Sequence, residues 1–204
     1  DPFGDSGLGA AGNLTTSPPP VPTGGAYNTL VRASNMAAYF LPAGIGGGLA
    51  MREMGVTKAA CVNQEVGNVA LDLRCEGFEK GLGTKPGIIA TSIDPTEVKN
   101  AVTAYLTKNP DTQALFILGS DPAMPAVDAV EGLGLIGKVK LATFDLSEGI
   151  LKSVRDGKMA FAIDQQQYLQ GYLPIVMLAL YEENLNTIAN PVIMTGPGFV
   201  TQEN

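Results

Sequence analysis

Polar side chains follow two apolar runs in the second half of this 204-residue chain. Asp145 follows the run Val139–Phe144, and one Asp and three Gln (residues 164–167) come directly after the run Met159–Ile163. A carboxylate only accepts hydrogen bonds, whereas a glutamine amide both donates and accepts them. The combination of Asp145 and Gln165 therefore suits the hydroxyl groups of a small polar ligand.

A short amphipathic segment, residues 147–155, lies between the two apolar runs. This order predicts a strand, a helix and a second strand that is parallel to the first. In open parallel α/β sheets, ligands bind just outside the carboxyl ends of the strands. Both polar clusters therefore occupy positions at which a small ligand would be held.

The alternation of strands and helices extends over most of the chain and predicts an α/β fold with a doubly wound parallel sheet. Asp94 can cap a helix whose first position is Pro95. Residues 1–27 are rich in Gly, Pro, Ser and Thr, and their apolar residues show neither the helical nor the strand period. They are predicted to be a loop or tail. The pattern predicts strands at 28–33, 59–63, 87–93, 114–118, 139–144 and 159–163, helices at 42–54, 69–82, 95–107, 124–130, 147–155 and 168–182, and an extended piece at 191–200.

Composition excludes several classes of function. The formal net charge is −7 and no Lys/Arg cluster occurs, which disfavours nucleic acid and anionic membranes as partners. No apolar run approaches the ~18 residues of a membrane span. The chain has no His, so it lacks the commonest general base and the commonest zinc ligand. We expect no enzymatic activity, no metal and no cofactor.

Two carboxylates at neighbouring strand ends, Asp145 and Asp164, could alternatively indicate glycoside hydrolysis, in which two acids flank the bond that is cut. Aromatic residues make up only 6% of the chain and Trp is absent, so a groove of stacked aromatic rings is not indicated. Binding without turnover is the favoured interpretation.

Two glycine-rich segments need a separate interpretation. The GxGxxG match at 132–137 follows a predicted helix and precedes a strand, which is the reverse of a dinucleotide site and indicates a helix end and turn. Gly44, Gly46, Gly47 and Gly48 are not followed by GK[ST] and are interpreted as small residues for close helix packing.

Cys61 and Cys75 fall on a predicted strand and on the helix that follows it. One interpretation is a disulfide, which requires an oxidising compartment. The other is two buried small residues, because free Cys packs like a hydrophobe. An exported protein would favour the disulfide.

The segment 139–172 resembles the second half of the sugar cleft in the type I periplasmic sugar-binding proteins of ABC transporters. The resemblance rests on Phe144-Asp145, on the segment from Ile150 to Asp156-Gly157 and on AIDQQQYLQGY at 162–172, in which Gln167 replaces the family's proline. It implies that Asp145 and Gln165 bind the sugar. The replaced proline alters a backbone preference and leaves the hydrogen-bonding side chains unchanged.

The segment 61–68 followed by Arg74, Gly77 and Phe78 is similar to the family's strand end and R-x-x-G-F helix. The resemblance implies that Arg74 clamps sugar hydroxyls with its fixed donors, with Asn68 nearby. The alternative for Arg74 is a solvated helix residue paired with Glu76 or Asp72. A further family position corresponds to Ser120 and Asp121, which are candidate ligands, although Asp121 could equally cap a helix.

Family members have two lobes with the sugar between them. The resemblance extends over residues 28–204, which would form the second lobe together with the crossover segments that return to the first lobe. Residues 1–27 would be a remnant of the first lobe. The chain is expected to be part of a longer protein or to cover an otherwise exposed helix face by self-association through Leu173–Leu180. With one lobe alone, we expect weak sugar binding or none. That helix face comprises Leu173, Ile175, Val176, Met177 and Leu180.

The resemblance implies a solute-binding component of an ABC importer that binds a monosaccharide or related polyol and delivers it to a membrane permease. It also implies a periplasmic or extracellular location, either free or anchored as a lipoprotein. The alternative is the effector-binding domain of a LacI-like regulator or of a chemosensory receptor. The acidic charge and the lack of a basic helix-turn-helix segment count against direct DNA binding.

Overall fold

The computed structural model describes residues 40–187 and 193–204. They fall into two compact units. The larger unit contains Phe40–Gln165 and Gly198–Asn204, and the smaller one includes Gln166–Pro197. The predicted strand at 28–33 and the predicted loop or tail at 1–27 lie outside the described residues.

Strands and helices alternate through the larger unit. Its helices are α1 (Leu41–Glu53), α2 (Val69–Leu82), α3 (Pro95–Lys108), α4 (Ala123–Gly132) and α5 (Glu148–Arg155). Its strands are β1 (Ala59–Asn63), β2 (Gly87–Ala90), β3 (Ala114–Ile117), β4 (Lys140–Phe144), β5 (Phe161–Asp164) and β6 (Gly198–Val200).

The six strands form one sheet in the order β2-β1-β3-β4-β5-β6. Strands β1 to β5 pair in parallel, so their carboxyl ends share one edge of the sheet. The predicted doubly wound sheet is confirmed. It needs one correction, because β6 pairs antiparallel with β5, opposite Ile163 at Phe199. The chain leaves the sheet after β5 and returns later to form this edge strand, and such a strand can run in either direction. The pattern of apolar residues does not reveal that direction.

Side-chain alternation along the strands builds two apolar layers. Val62, Ile117 and Leu141 belong to a core cluster with residues of α3, α4 and α5. The intervening Phe116 points to the opposite face, where its ring stacks on Phe78 of α2 at a centroid distance of 4.3 Å. Successive side chains of a strand lie on opposite faces, so helices cover both sides of the sheet.

The predicted helix starts and turns are largely confirmed. Asp94 caps α3 by accepting from the N–H groups of Thr96 and Glu97. Helix α5 begins at Glu148, one residue after its predicted start, and the Ser147 side chain caps it. The GxGxxG segment is the end of α4 and a turn in which Gly134 and Gly137 have positive φ, as expected for a turn and not for a phosphate loop.

Glycines let α1 and α2 approach until their backbones touch. A Cβ on Gly44 would lie 3.0 Å from the Cα of Gly77, and one on Gly48 would lie 2.6 Å from the amide nitrogen of Leu82. Each of these glycines is buried by main-chain atoms of the other helix, which cannot move aside as a flexible side chain can. The prediction of close helix packing is confirmed for Gly44 and Gly48, whereas Gly46 faces the ring of Phe199 and Gly47 that of Phe116, both in the sheet.

The smaller unit contains α6 (Gln167–Asn184), in which no residue is buried. Ile175 is 68% exposed and Tyr172 50% exposed, and Leu178 and Leu180 are exposed as well. The predicted exposure of apolar side chains on this helix is therefore confirmed for Ile175 and Leu180, whereas Leu173, Val176 and Met177 are half-buried. None of the helices in residues 40–187 and 193–204 combines the length and hydropathy required to cross a membrane.

Exposed apolar side chains on α6 are expected to make the isolated chain self-associate, because soluble monomers rarely expose contiguous apolar patches. Ile175→Asp should lower the mean mass measured by static light scattering towards that of the monomer. Leu151→Asp is the matched control, because Leu151 is a helical residue that is 43% exposed in the larger unit. A monodisperse monomer in the unsubstituted chain would contradict this expectation.

Candidate functional site

The chain reverses its winding direction between β1 and β3. From β1 it moves outwards to β2, and it then returns to the other side of β1 to form β3. Such a switch point leaves a crevice at the carboxyl ends of the two strands, where ligands of open α/β sheets bind. Gln64 follows β1 and Gly119 is buried just beyond β3. The crevice is thus bordered by an amide side chain and by a residue that has no side chain.

Arg74 projects from α2 and is buried, with 6% of its surface exposed. Its guanidinium lies over the ring of Phe144 at 4.3 Å and over the ring of Phe40 at 4.6 Å. Its Nη1 donates a hydrogen bond to the carbonyl of Leu118, directly after β3. Cation–π contacts and a backbone acceptor partly replace the water that a buried guanidinium loses.

Asp145 directly follows β4 and supplies the counter-charge. Its N–H donates to the carbonyl of Ile163 at 2.9 Å, which continues the ladder between β4 and β5. One carboxylate oxygen accepts a hydrogen bond from Nε2 of Gln165, and the other lies 3.9 Å from Nη1 of Arg74. The structure therefore brings together the three residues that the sequence singled out as the main ligand set.

The Asp145 backbone has a φ of +69°, in the left-handed region. Non-glycine residues adopt this conformation at a cost, and Asp and Asn tolerate it better than most. The turn directs the carboxylate towards Arg74 and Gln165 at the edge of the sheet. Backbone strain at a strand end is a frequent feature of functional positions.

Burial differs within the three-residue cluster of Arg74, Asp145 and Gln165. The side chain of Asp145 is 21% exposed, whereas that of Arg74 is 7% exposed and Gln165 is 6% exposed as a residue. The carboxylate is thus the most accessible member, held by a cation and an amide that are largely inaccessible. This arrangement can present acceptor oxygens to hydroxyl groups at a fixed position.

The alternative interpretation of Arg74 as a solvated residue paired with its helix neighbours is wrong. Asp72 accepts a hydrogen bond from Nδ2 of Asn63 at 3.3 Å, and Glu76 pairs with Lys80 at 2.7 Å. Asp72 lies in the first turn of α2 and Glu76 lies on the exposed surface of the helix. Arg74 lies on the buried side.

The remaining candidate ligands occupy other positions. Asn68 caps α2, where its Oδ1 accepts from the N–H of Ala70 at 3.0 Å and its Nδ2 donates to Glu65. Ser120 is half-buried and its carbonyl accepts from Ala123 at 3.2 Å. Asp121 is exposed, and it does not cap α4: Pro122 holds that position, where no side chain makes a capping hydrogen bond. A ligand role for these three residues stays a prediction.

Gln64 and Thr91, at the ends of β1 and β2, were missed as candidates. In the described part of the chain, Oε1 of Gln64 and Oγ1 of Thr91 are inaccessible and have no hydrogen-bond partner. A Cβ on Gly119 would come within 3.4 Å of Cδ of Gln64, so this amide lies close against a residue that has no side chain. The available signal was the polar residue that directly follows each of these two strands.

Cys61 and Cys75 form a disulfide between β1 and α2. Cys61 is completely buried and Cys75 is 7% exposed. The pair closes a loop with a sequence separation of 14 residues, and a loop of this length is worth about 3 kcal/mol in the chain-entropy model. The disulfide interpretation of the two cysteines is confirmed.

The disulfide is expected to persist in protein purified from its native compartment. Intact mass spectrometry without reductant should give a mass two hydrogens below that of the reduced chain. Alkylation of both thiols without prior reduction would contradict the bond.

Comparison with known proteins places the chain in a family. The family model described as "Periplasmic binding protein domain" matches residues 31–184. The xylose/arabinose-binding protein XylF of Sulfolobus acidocaldarius is 30% identical over 123 residues, which are 57% of this chain and 30% of that protein. The ribose import binding protein RbsB of Haemophilus influenzae is 32% identical over 114 residues, which are 54% of this chain and 38% of that protein.

Solved structures show the same fold. A carbohydrate transporter from Acidothermus cellulolyticus, in complex with myo-inositol, superposes with a TM-score of 0.76 at 23% identity over 100% of this chain and 81% of that chain. A periplasmic solute-binding protein from Actinobacillus succinogenes with bound D-allose gives a TM-score of 0.67 at 25% identity, over 80% of this chain and 59% of that one. The predicted fold class, a type I periplasmic-binding-protein lobe, is confirmed.

The aligned part of the chain spans about a third of the length of XylF and RbsB. The family match, in contrast, extends over most of this chain, from residue 31 to residue 184. The chain therefore belongs to the periplasmic binding protein family.

Proposed function

We propose that the chain contributes to a solute-binding protein that binds a monosaccharide or related polyol and delivers it to the membrane permease of an ABC importer. The observation that carries this proposal is the cluster of Arg74, Asp145 and Gln165 at the carboxyl edge of the sheet. The cluster combines a donor fork, an acceptor pair and an amide, which can bind adjacent hydroxyl groups.

The charge balance of the cluster favours a neutral ligand. Asp145 lies 3.9 Å from Arg74, so the buried cation already has a counter-charge within the protein. A strongly anionic ligand would compete with Asp145, and a cationic one would compete with Arg74. Hydroxyl groups add hydrogen bonds without adding charge, which suits a sugar better than an acid or an amine.

The names of related proteins support the same class of ligand. XylF is named as a xylose/arabinose-binding protein and RbsB as a ribose import binding protein. Two solved structures of the same fold contain myo-inositol and D-allose. Delivery to a permease and a periplasmic or extracellular location, free or lipid-anchored, are part of the proposal, because exported binding proteins of this family work in that way.

The proposal is tested by calorimetric titration of the full-length protein with pentoses, hexoses and myo-inositol, combined with chromatographic analysis of the recovered ligand. We expect saturable binding of at least one polyol, which is recovered unchanged. Leucine and glucuronate serve as controls for amino-acid and acidic ligands. Chemical conversion of the sugar, or binding of the controls with no binding of any polyol, would overturn the proposal.

A further inference from the structure

The backbone of Arg74 is fixed by the residue that follows it. Cys75 is bonded to Cys61, with their Cα atoms 6.1 Å apart. Cys61 lies in β1, which pairs with β2 on one side and with β3 on the other. The bond therefore ties the middle of α2 to an inner strand of the sheet.

Helix α2 is also in close contact with α1. The carbonyl of Arg74 packs directly against Gly44, and a Cβ on Gly44 would also lie 3.0 Å from the amide nitrogen of Phe78. This contact prevents α2 from moving towards α1. Between α2 and the sheet, Phe78 stacks on Phe116 without a covalent bond, whereas the disulfide is a covalent tie that opposes movement of α2 along the sheet.

The contacts of the Arg74 guanidinium depend on the position of α2 relative to the sheet. Its guanidinium lies over the ring of Phe144, donates to Leu118 and lies 3.9 Å from Asp145. These partners come from β4 and from the residues after β3 and β4, whereas Arg74 comes from α2. A shift of α2 relative to the sheet would change all of these distances together.

We propose that the Cys61–Cys75 disulfide is a positioning element of the ligand site, which holds Arg74 in register with Asp145. The proposal rests on the proposed function, since the ligand is taken to contact this cluster. It assigns to the bond an effect on affinity in addition to its effect on stability. Cys61 and Cys75 themselves are buried and act through Arg74.

The first test is the double variant Cys61→Ala/Cys75→Ala, titrated with the sugar that the unsubstituted full-length protein binds. We expect affinity to fall by about fivefold or more, the usual range for coupled neighbouring residues. Val102→Ala is the matched control, because Val102 is fully buried in the core on the other face of the sheet. It should destabilise the protein and leave the sugar affinity unchanged.

A double-mutant cycle with Arg74→Met separates positioning from general loosening. If the disulfide acts through Arg74, its removal should have little further effect on affinity when the guanidinium is absent. Equal effects of removing the bond in the parent protein and in the Arg74→Met variant would overturn the proposal, even with sugar binding intact in the parent protein.

A spectroscopic measurement tests positioning without a ligand. The side-chain Nε–H signal of Arg74 is assigned in ¹⁵N NMR by its disappearance in Arg74→Met, and that of Arg155 is assigned by substitution in the same way. We expect the Nε–H order parameter of Arg74 to fall in the double Cys variant while that of Arg155, which is exposed, stays constant. An unchanged Arg74 order parameter would overturn the positioning role. Failure of every sugar to bind the parent protein would instead count against the proposed function.

Discussion

Asp145→Asn is expected to weaken sugar binding at least tenfold and to leave the fold unchanged. The substitution removes the charge that faces Arg74 at 3.9 Å and replaces one acceptor oxygen by a donor. Loss of one partner from a buried hydrogen-bonded group costs about 1–3 kcal/mol, and tenfold in affinity corresponds to about 1.4 kcal/mol. Asn is the cleaner replacement, because it tolerates the left-handed backbone conformation of residue 145.

The comparison with Asp145→Ala separates two effects at the same position. Ala removes the carboxylate too, but it also occupies the left-handed region at a cost of about 1–2 kcal/mol. Both variants should lose affinity to a similar degree and lower the unfolding midpoint, because each leaves the buried Arg74 without its counter-charge. Ala should lower the midpoint further, because of its added backbone cost. Calorimetry measures the first quantity, and circular dichroism during heating measures the second.

Asp111→Asn is the matched control for the loss of charge. Asp111 is a surface carboxylate that pairs with Lys58. The same chemical change there should leave sugar affinity unaltered, because exposed ion pairs contribute little and this pair is outside the cluster. Sugar affinity that is equal in Asp145→Asn and in the parent protein would remove Asp145 from the ligand site.

Gly48→Ala is expected to destabilise the protein by about 3 kcal/mol, the upper part of the range for inserting a methyl group into a packed contact. The new Cβ would lie 2.6 Å from the amide nitrogen of Leu82 and 2.9 Å from the carbonyl carbon of Gly81. Since these are backbone atoms of α2, relief requires the two helices to separate. The free energy of unfolding in urea measures the effect.

Gly132→Ala provides the control for the same substitution in a helix. Gly132 is the last residue of α4, and a Cβ there would meet nothing within 4 Å. Ala should therefore be neutral or stabilise the protein by up to about 1 kcal/mol, because it restricts the unfolded chain. Equal unfolding free energies for Gly48→Ala and Gly132→Ala would show that the contact of α1 with α2 is not as close as described.

Local sequence was sufficient to place the elements of the larger unit. Strand β1 and helix α2 have the bounds that the pattern predicts, and the capping role of Asp94 follows from its position before Pro95. These features depend on hydrophobic period and on side-chain hydrogen bonds to nearby backbone, which act over a few residues. The polar residues after β4 and β5 were informative for the same reason, since each directly ends its strand.

Tertiary structure decided how the site is assembled. The sequence of α2 offers Asp72 and Glu76 as partners for Arg74, and only packing directs the guanidinium to Phe144 and Leu118 instead. The direction of β6 and the close approach of the Gln64 amide to Gly119 likewise depend on segments that are distant in the chain. A buried charge is stable only where several groups, distant in the sequence, together replace its lost contacts with water. The hydrophobic period of a short segment does not indicate where such groups will meet. The sequence thus determined which residues stand at the sheet edge, and the fold determined which of them face one another.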